Sequence, residues 1–284
     1  STTGATTLSG SGQPGTQTFN KGVTTVNLLV TDGVSLTASC SFTVTVNDTE
    51  LPTITCPANL TASSTSGICS ASVTIPSITF TDNCAGSSIA WIANGATDLS
   101  GNGQPGAQTF NVGVTNVTIT VTDASSNTAQ CSFTVTVTDD ENPTITCPSD
   151  ITASNTSNQC SASVNVPAIT FGDNCSGSSI SWTTSGATIL SGSGQIGTRT
   201  FNVGATLVTV TVRDAANHTA QCSFTVTVND TQAPVISGCP ANITRTAGAG
   251  SCTAVVSWTE PTATDNCTAS NNISWIKSHT PGTT

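Results

Sequence analysis

Basic residues are almost missing from this chain. Its 284 residues include five Lys plus Arg against fifteen Asp plus Glu, for a net charge of −10. A surface so poor in cations cannot neutralise a phosphate backbone, so nucleic acid is excluded as a partner. An acidic lipid surface is disfavoured for the same reason. Charge of either sign is scarce, at 7% of residues where an ordinary globular protein has about 25%. No apolar run approaches the roughly 18 residues of a membrane span, and no window has the period of an amphipathic helix. Methionine is absent. The two histidines, His218 and His279, have no counterparts elsewhere in the chain, and a lone loop histidine is ordinarily just solvated. No Gly-x-Ser-x-Gly elbow occurs at a strand-to-helix turn. Gly101-Asn102-Gly103 and Gly192-Ser193-Gly194 are followed by no helix and so make no phosphate cradle. The chain is expected not to be an enzyme.

Cysteine, by contrast, is plentiful and periodic. Cys40, Cys131 and Cys222 stand 91 residues apart. Cys56, Cys147 and Cys239 keep the same beat with one inserted residue, as do Cys69, Cys160 and Cys252, and Cys84, Cys175 and Cys267. A period this long is a whole small domain. Boundaries at Asp48, Asp139 and Asp230 divide the chain into four pieces. Residues 1–48 are the C-terminal part of a repeat, 49–139 and 140–230 are complete repeats, and 231–284 is the N-terminal part of another. The chain begins mid-repeat at Ser1 and shows no signal peptide, so it is read as a mature or partial stretch of something longer. Twelve cysteines with so few histidines indicate disulfides in an oxidising, extracellular compartment rather than metal sites. No Cys-x-x-Cys pair occurs, and four cysteines per copy admit three connectivities.

Threonine and serine replace the missing charge. Runs such as Thr134-Val135-Thr136-Val137-Thr138 favour extended backbone. In the first complete copy, Thr53–Cys56 and Leu60–Ser63 read as one strand broken by Pro57. Cys69–Ile75 alternates, with Cys69, Ala71, Val73 and Ile75 facing one way. Thr81–Cys84 is a turn cluster. Further strands are expected over Ile89–Ala93, near Leu99, over Ala107–Phe110, over Asn116–Thr122 and over Gln130–Thr138, with a hairpin turn at Asp123–Asn127. About seven short alternating strands per copy indicate an all-β chain of tandem antiparallel β-sandwiches. Trp91, Trp182 and Trp275 recur in register and are read as core rather than as a sugar-stacking platform. A core this thin would need disulfide support.

The strings Ile54-Thr55-Cys56-Pro57, Asp82-Asn83-Cys84, Phe110-Asn111-Val112-Gly113 and Cys131-Ser132-Phe133, with their second copies at Ile145–Pro148, Asp173–Cys175, Phe201–Gly204 and Cys222–Phe224, resemble the hyalin repeat. The resemblance covers essentially the whole chain. It implies an immunoglobulin-like sandwich in extracellular proteins of adhesion, matrix or surface assembly. The chain departs from the family in a longer stretch between Trp91 and Phe110. It also departs at the hairpin, where Ser126 and Ala216 precede the Asn in place of the family's Gly.

In such a sandwich Cys84 and Cys131 would share one end. The expected pairs are therefore Cys84–Cys131 and Cys175–Cys222, leaving Cys56–Cys69, Cys147–Cys160 and Cys239–Cys252. Cys40 and Cys267 would lack partners within their own part-copies. Asp139, Asp140 and Glu141 at a copy junction, with Asp173 and Asp214, are candidate ligands for Ca²⁺, the one cofactor considered. The competing reading has Asp82 and Asp173 capping their own turns. Asn59, Asn116, Asn155, Asn217, Asn242 and Asn272 open glycosylation sequons. Short links suggest a structural extracellular rod, fibre or filament that self-associates through its incomplete terminal repeats. The alternatives are an adhesive array binding carbohydrate or protein, and a spacer in a larger secreted protein.

Overall fold

Alternating Val, Ile and Thr make half-buried strands, and strands are nearly all this chain forms. A computed structural model describes residues 1–13 and 15–276 and divides the chain into two compact units, Ser1–Asp140 and Glu141–Thr284.

In the first unit, one sheet has five strands in the order Leu60–Ser63, Thr128–Thr138, Gly113–Thr122, Ser88–Gly95 and Leu99–Asn102. Neighbours are antiparallel except at one edge, where Leu60–Ser63 runs parallel to Thr128–Thr138 with Leu60 opposite Val135. Two short antiparallel pairs face this sheet: Ala107–Asn111 with Ser70–Thr74, and Thr53–Thr55 with Thr79–Thr81. The break at Pro57 thus sends the two halves of the expected first strand to different sheets. Val117, Ile119, Val121, Val135 and Val137 point into the core from one side, and Ala71, Val73, Ile75 and Phe110 from the other. Outward positions of the long strands carry Thr118, Thr120, Thr134 and Thr136, with Gln130 donating to the Thr120 hydroxyl at 3.0 Å.

Residues 1–46 form a three-stranded sheet of Thr2–Gly4, Gly22–Thr31 and Thr37–Val46. One face is left open, and a cleft of about 420 Å³ there is lined by Leu8, Phe19, Val26, Leu28 and Phe42.

The second unit repeats the five-stranded order as Ile151–Ser154, Thr219–Asn229, Gly204–Arg213, Ser179–Gly186 and Ser191–Ser193. Its facing pairs are Ser161–Asn165 with Thr198–Asn202 and Thr144–Thr146 with Thr170–Gly172. Among the described residues beyond 231 only one pair forms, Val235–Ser237 with Thr262–Thr264. The 3-10 turn Ser270–Asn272 is the one helical element among the described residues.

The Phe-Asn-Val-Gly string has a clear physical role. Phe110 is fully buried. The next residue, Asn111, donates its backbone N–H to the Thr97 hydroxyl at 2.7 Å and its amide to the Ala96 carbonyl at 3.1 Å. The same clasp recurs as Asn202 with Thr188 and Ala187, and as Asn20 with Thr6 and Ala5. Gly113 closes it at φ +122°, where a Cβ would stand 2.8 Å from the Ala96 Cβ. The expected loop between Trp91 and Phe110 is therefore pinned to the sheet at its start and its end.

Trp91 and Trp182 are buried, as core residues should be, and the flat indole explains the glycines opposite them. A Cβ on Gly101 would lie 2.7 Å from the Trp91 ring, and one on Gly192 2.6 Å from Trp182. Trp275, with little of its copy around it, is 43% exposed. At the hairpin, the left-handed residues are Ser126 at φ +73° and Asn217 at φ +81°. The position equivalent to Ser126 is thus Asn217 and not Ala216, a one-residue correction to the sequence reading.

Gly113→Ala tests the clasp. Backbone strain of about 1–3 kcal/mol, together with the Ala96 contact, is expected to lower stability by about that amount or more. Denaturant unfolding monitored by tryptophan fluorescence should show it, with Gly103→Ala, which meets open space but also has positive φ, as the strain-only comparison.

Candidate functional site at the copy junctions

The cysteines come first, because they decide what the junctions contain. Cys131 lies on the inward side of the last strand, in line with Phe133, Val135 and Val137. Opposite it is the end of the first short strand, and Cys56 bonds to it with Cα atoms 5.9 Å apart. Cys147 and Cys222 repeat this bond at 5.8 Å. The expected pairs Cys84–Cys131, Cys175–Cys222, Cys56–Cys69 and Cys147–Cys160 are therefore corrected. The reason is geometric: Cys131 faces across the core toward Cys56, whereas Cys84 is held in a turn beyond the sheet. Cys69 and Cys175 are disulfide-bonded as well. Cys40, Cys84, Cys160, Cys239, Cys252 and Cys267 are thiols. The pair Cys239–Cys252 is thus not formed; Cys239 occupies the position of Cys56 and Cys147, whose partners lie on a last strand.

The turn holding Cys84 is an Asx turn. Asp82 accepts the Cys84 N–H at 3.1 Å, Asp173 that of Cys175 at 3.1 Å, and Asp265 that of Cys267 at 2.9 Å. The Asp-Asn-Cys string is thus a turn that presents a cysteine at a copy junction.

In the first unit, this turn meets Asp48. The Asp48 side chain is 2% exposed and pairs with the Lys21 ammonium at 3.4 Å, while its carbonyl accepts from the Asn127 amide at 3.2 Å. One carboxylate oxygen each of Asp48, Asp82 and Asp123 lie within 4.8 Å of one another. Asp123 is buried and accepts from the backbone of Ser125 and Asn127 and from the Asn127 amide, each at 2.8 Å. Burial pushes the Asp123 carboxyl up, but these hydrogen bonds outweigh it and hold it below its ordinary value. Burial, then a hydrogen bond to Asp48, pushes the Cys84 thiol up.

In the second unit, the link itself is clamped. Asn155 accepts from the Thr231 backbone N–H at 3.1 Å and from its hydroxyl at 3.0 Å. The Gln232 amide donates to the Asn158 side chain at 3.2 Å and accepts its backbone N–H at 2.5 Å. Asn266 reaches back to the Gln159 carbonyl at 3.1 Å. The sequence marked only Asn155 among these amides, and that as a sequon; isolated Asn and Gln in a polar chain carry no period that marks them as clamps.

Asp139 is buried, Asp140 bonds the Ser63 hydroxyl, and Asp214 bonds His218 across 3.1 Å. His279 lies outside the described residues. Asn116, Asn217, Asn242 and Asn272 are exposed. Asn59 accepts the Thr134 N–H at 2.9 Å, and Asn155 is taken up by Thr231. Among the described residues, no helix is long and apolar enough to cross a membrane.

Repeated disulfide-bridged sandwiches, with the family and relative that follow, place the chain in a class: the extracellular arrays of adhesion-type modules. The chain belongs to the HYR domain family, whose pattern matches residues 47–137, 138–228 and 229–284. It is 32% identical over 260 residues to Hyalin of Strongylocentrotus purpuratus, covering 87% of this chain. The chain spans about a fifth of that relative's length. Among solved structures, it is similar to Protocadherin Gamma B2 extracellular cadherin domains 3-6, at 16% identity and a TM-score of 0.33, over 74% of this chain and 60% of the other. The fibronectin(III)-like modules of Clostridium thermocellum CbhA match at 17% identity and a TM-score of 0.27, over 63% of this chain and 95% of the other.

Two substitutions test the first junction. Lys21→Ala leaves the buried Asp48 carboxylate beside Asp82 and Asp123 without a cation, and is expected to lower stability by roughly 1–3 kcal/mol. The loss should appear in urea unfolding at low ionic strength. The lowered Asp123 value means its contribution is fully present above the ordinary carboxylate range and is lost as pH falls through the folded value. Asp123→Asn is therefore expected to be less stable at neutral pH and to show a shallower acid-side decline in unfolding titrations between pH 6 and 3.

Proposed function

We propose that the chain is a stretch of an extracellular rod or fibre, in which tandem sandwiches supply length and stiffness. One observation carries the reading: the link after residue 230 is not a free tether but is hydrogen-bonded to Asn155 and Asn158 of the copy before it. Held links favour a semi-rigid array over a flexible string. Strands of about eight residues at ~3.3 Å each, plus loops, put each copy at about 30–40 Å along such a rod. The hydroxyl-rich, weakly charged surface offers little repulsion to lateral or end-to-end packing. Exposed sequons at Asn116, Asn217, Asn242 and Asn272 leave room for glycans on that surface. At the first junction Lys21 supplies a cation to Asp48, one of three converging carboxylates.

Self-association has a surface to use. Residues 1–46 leave Phe42 and Leu28 on an open apolar face, and Val255 and Trp258 are exposed in residues 231–276. In this reading a second copy of the chain brings the latter segment onto the former.

Negative-stain electron microscopy and small-angle scattering test both parts. Extended particles lengthening by about 30–40 Å per added copy are expected for a rod. A broad distribution of bent shapes would overturn it. End-to-end chains that shorten to single particles after Phe42→Asp support the association. Monomers at every concentration remove that part alone.

A further inference from the structure

Two thiols of the second unit stand together at its junction, although they belong to different copies. Cys160 ends the tight turn Thr156–Gln159, whose Asn158 carries φ +61° and clamps Gln232. Cys267 is presented by the Asp265 turn. Their preceding residues are in contact, Asn266 donating to the Gln159 carbonyl at 3.1 Å, and the Asn266 amide also lies 3.0 Å from the Cys267 sulfur. We infer that Cys160 and Cys267 form a disulfide that fastens one repeat to the next, separate from the Cys147–Cys222 bridge that closes the repeat itself.

Several features agree. The contact of Asn266 with Gln159 brings the two cysteine positions side by side, and burial, then a hydrogen bond to the Cys160 thiol, pushes the Cys267 thiol up to about 12. The two positions are the turn cysteine and the Asx-turn cysteine, which recur as Cys69 and Cys175, and each of those is disulfide-bonded. The first junction supplies the contrast. There Cys84 faces Asp48 and Lys21, and the one cysteine of the preceding part-copy, Cys40, occupies the position of Cys131. Cys84 accordingly stays a thiol.

The chemistry balances with a small-molecule disulfide of the secretory environment as oxidant, of the oxidised-glutathione type. A thiolate attacks that disulfide and expels one small thiol. The second protein thiol, losing its proton to solvent, then attacks the mixed disulfide and expels the other. Two protein thiols become one disulfide, and one small disulfide becomes two thiols. Because the Cys267 thiol is held protonated, closure should accelerate as pH rises. The inference goes beyond the rod reading and stands without it, since a flexible array could be fastened in the same way.

The test is a peptide map of the full chain, made in an oxidising compartment and purified without reductant. Free thiols are blocked with N-ethylmaleimide in guanidinium, and the chain is cut with trypsin. The fragment 246–277, which contains Cys252 and Cys267, is expected to remain attached to fragment 22–199 until reductant is added. Tandem mass spectrometry should place the bond between Cys160 and Cys267, with the maleimide on Cys252 and Cys84. Maleimide on both Cys160 and Cys267, or attachment through Cys252, overturns the inference. Cys252→Ser should leave the attachment unchanged, and Cys267→Ser should release the fragment and put maleimide on Cys160. Retained attachment in Cys267→Ser overturns it equally.

Discussion

Each complete copy depends on one covalent contact between its first short strand and its last long one. The core it supports is built mainly from small Val, Ala and Ile side chains, with two Phe and one Trp in each copy. The bonds Cys56–Cys131 and Cys147–Cys222 each close 75 residues. In the chain-entropy view a loop of that length is worth about 4 kcal/mol, a large share of the ~5–15 kcal/mol that holds a typical domain folded. The connectivity expected from shared position at one end of the sandwich would have closed only 13 residues between Cys56 and Cys69. The observed one spans the two layers and also ties down the segment before Pro57.

With the interior closed in this way, the junctions are left to polar side chains. They solve the same problem with different residues. At the first, a lysine answers three converging carboxylates. At the second, amides of Asn155, Asn158 and Asn266 hold the link directly. The constant elements are the Asx turn and the cysteine it presents. A family member can therefore vary the junction chemistry while keeping the geometry that meets it.

Much of the fold was legible because its cause is periodic. Val117, Ile119 and Val121 alternate with threonine, and a strand with one buried face follows directly. Asp82 before Cys84 reads as a capped turn, and the structure shows one. Trp91 reads as core, and the facing Gly101 gives the reason for a glycine-rich neighbour. The disulfide pairing was not legible, because it turns on which sheet Thr53–Thr55 joins, and Pro57 separates it from Leu60–Ser63 without saying where either goes. The hairpin register was missed by one residue, since Ser126 and Asn217 both tolerate positive φ while looking unlike one another. The clamping amides were missed because their partners are 74 to 107 residues away.

The parallel edge where Leu60–Ser63 lies along Thr128–Thr138 bears on how a tethered copy would take tension. With the copy's disulfide reduced, a pull on its two ends would load that pair lengthwise, so its hydrogen bonds would have to break together and not one at a time. With the disulfide closed, tension entering before Cys56 crosses the sulfur–sulfur bond to Cys131 and leaves along the final strand. The 74 residues between them lie off this path, and even a copy torn open could lengthen only by the short stretches outside the bond. A chain so wired would yield by small, recoverable increments while most of each sandwich never feels the load.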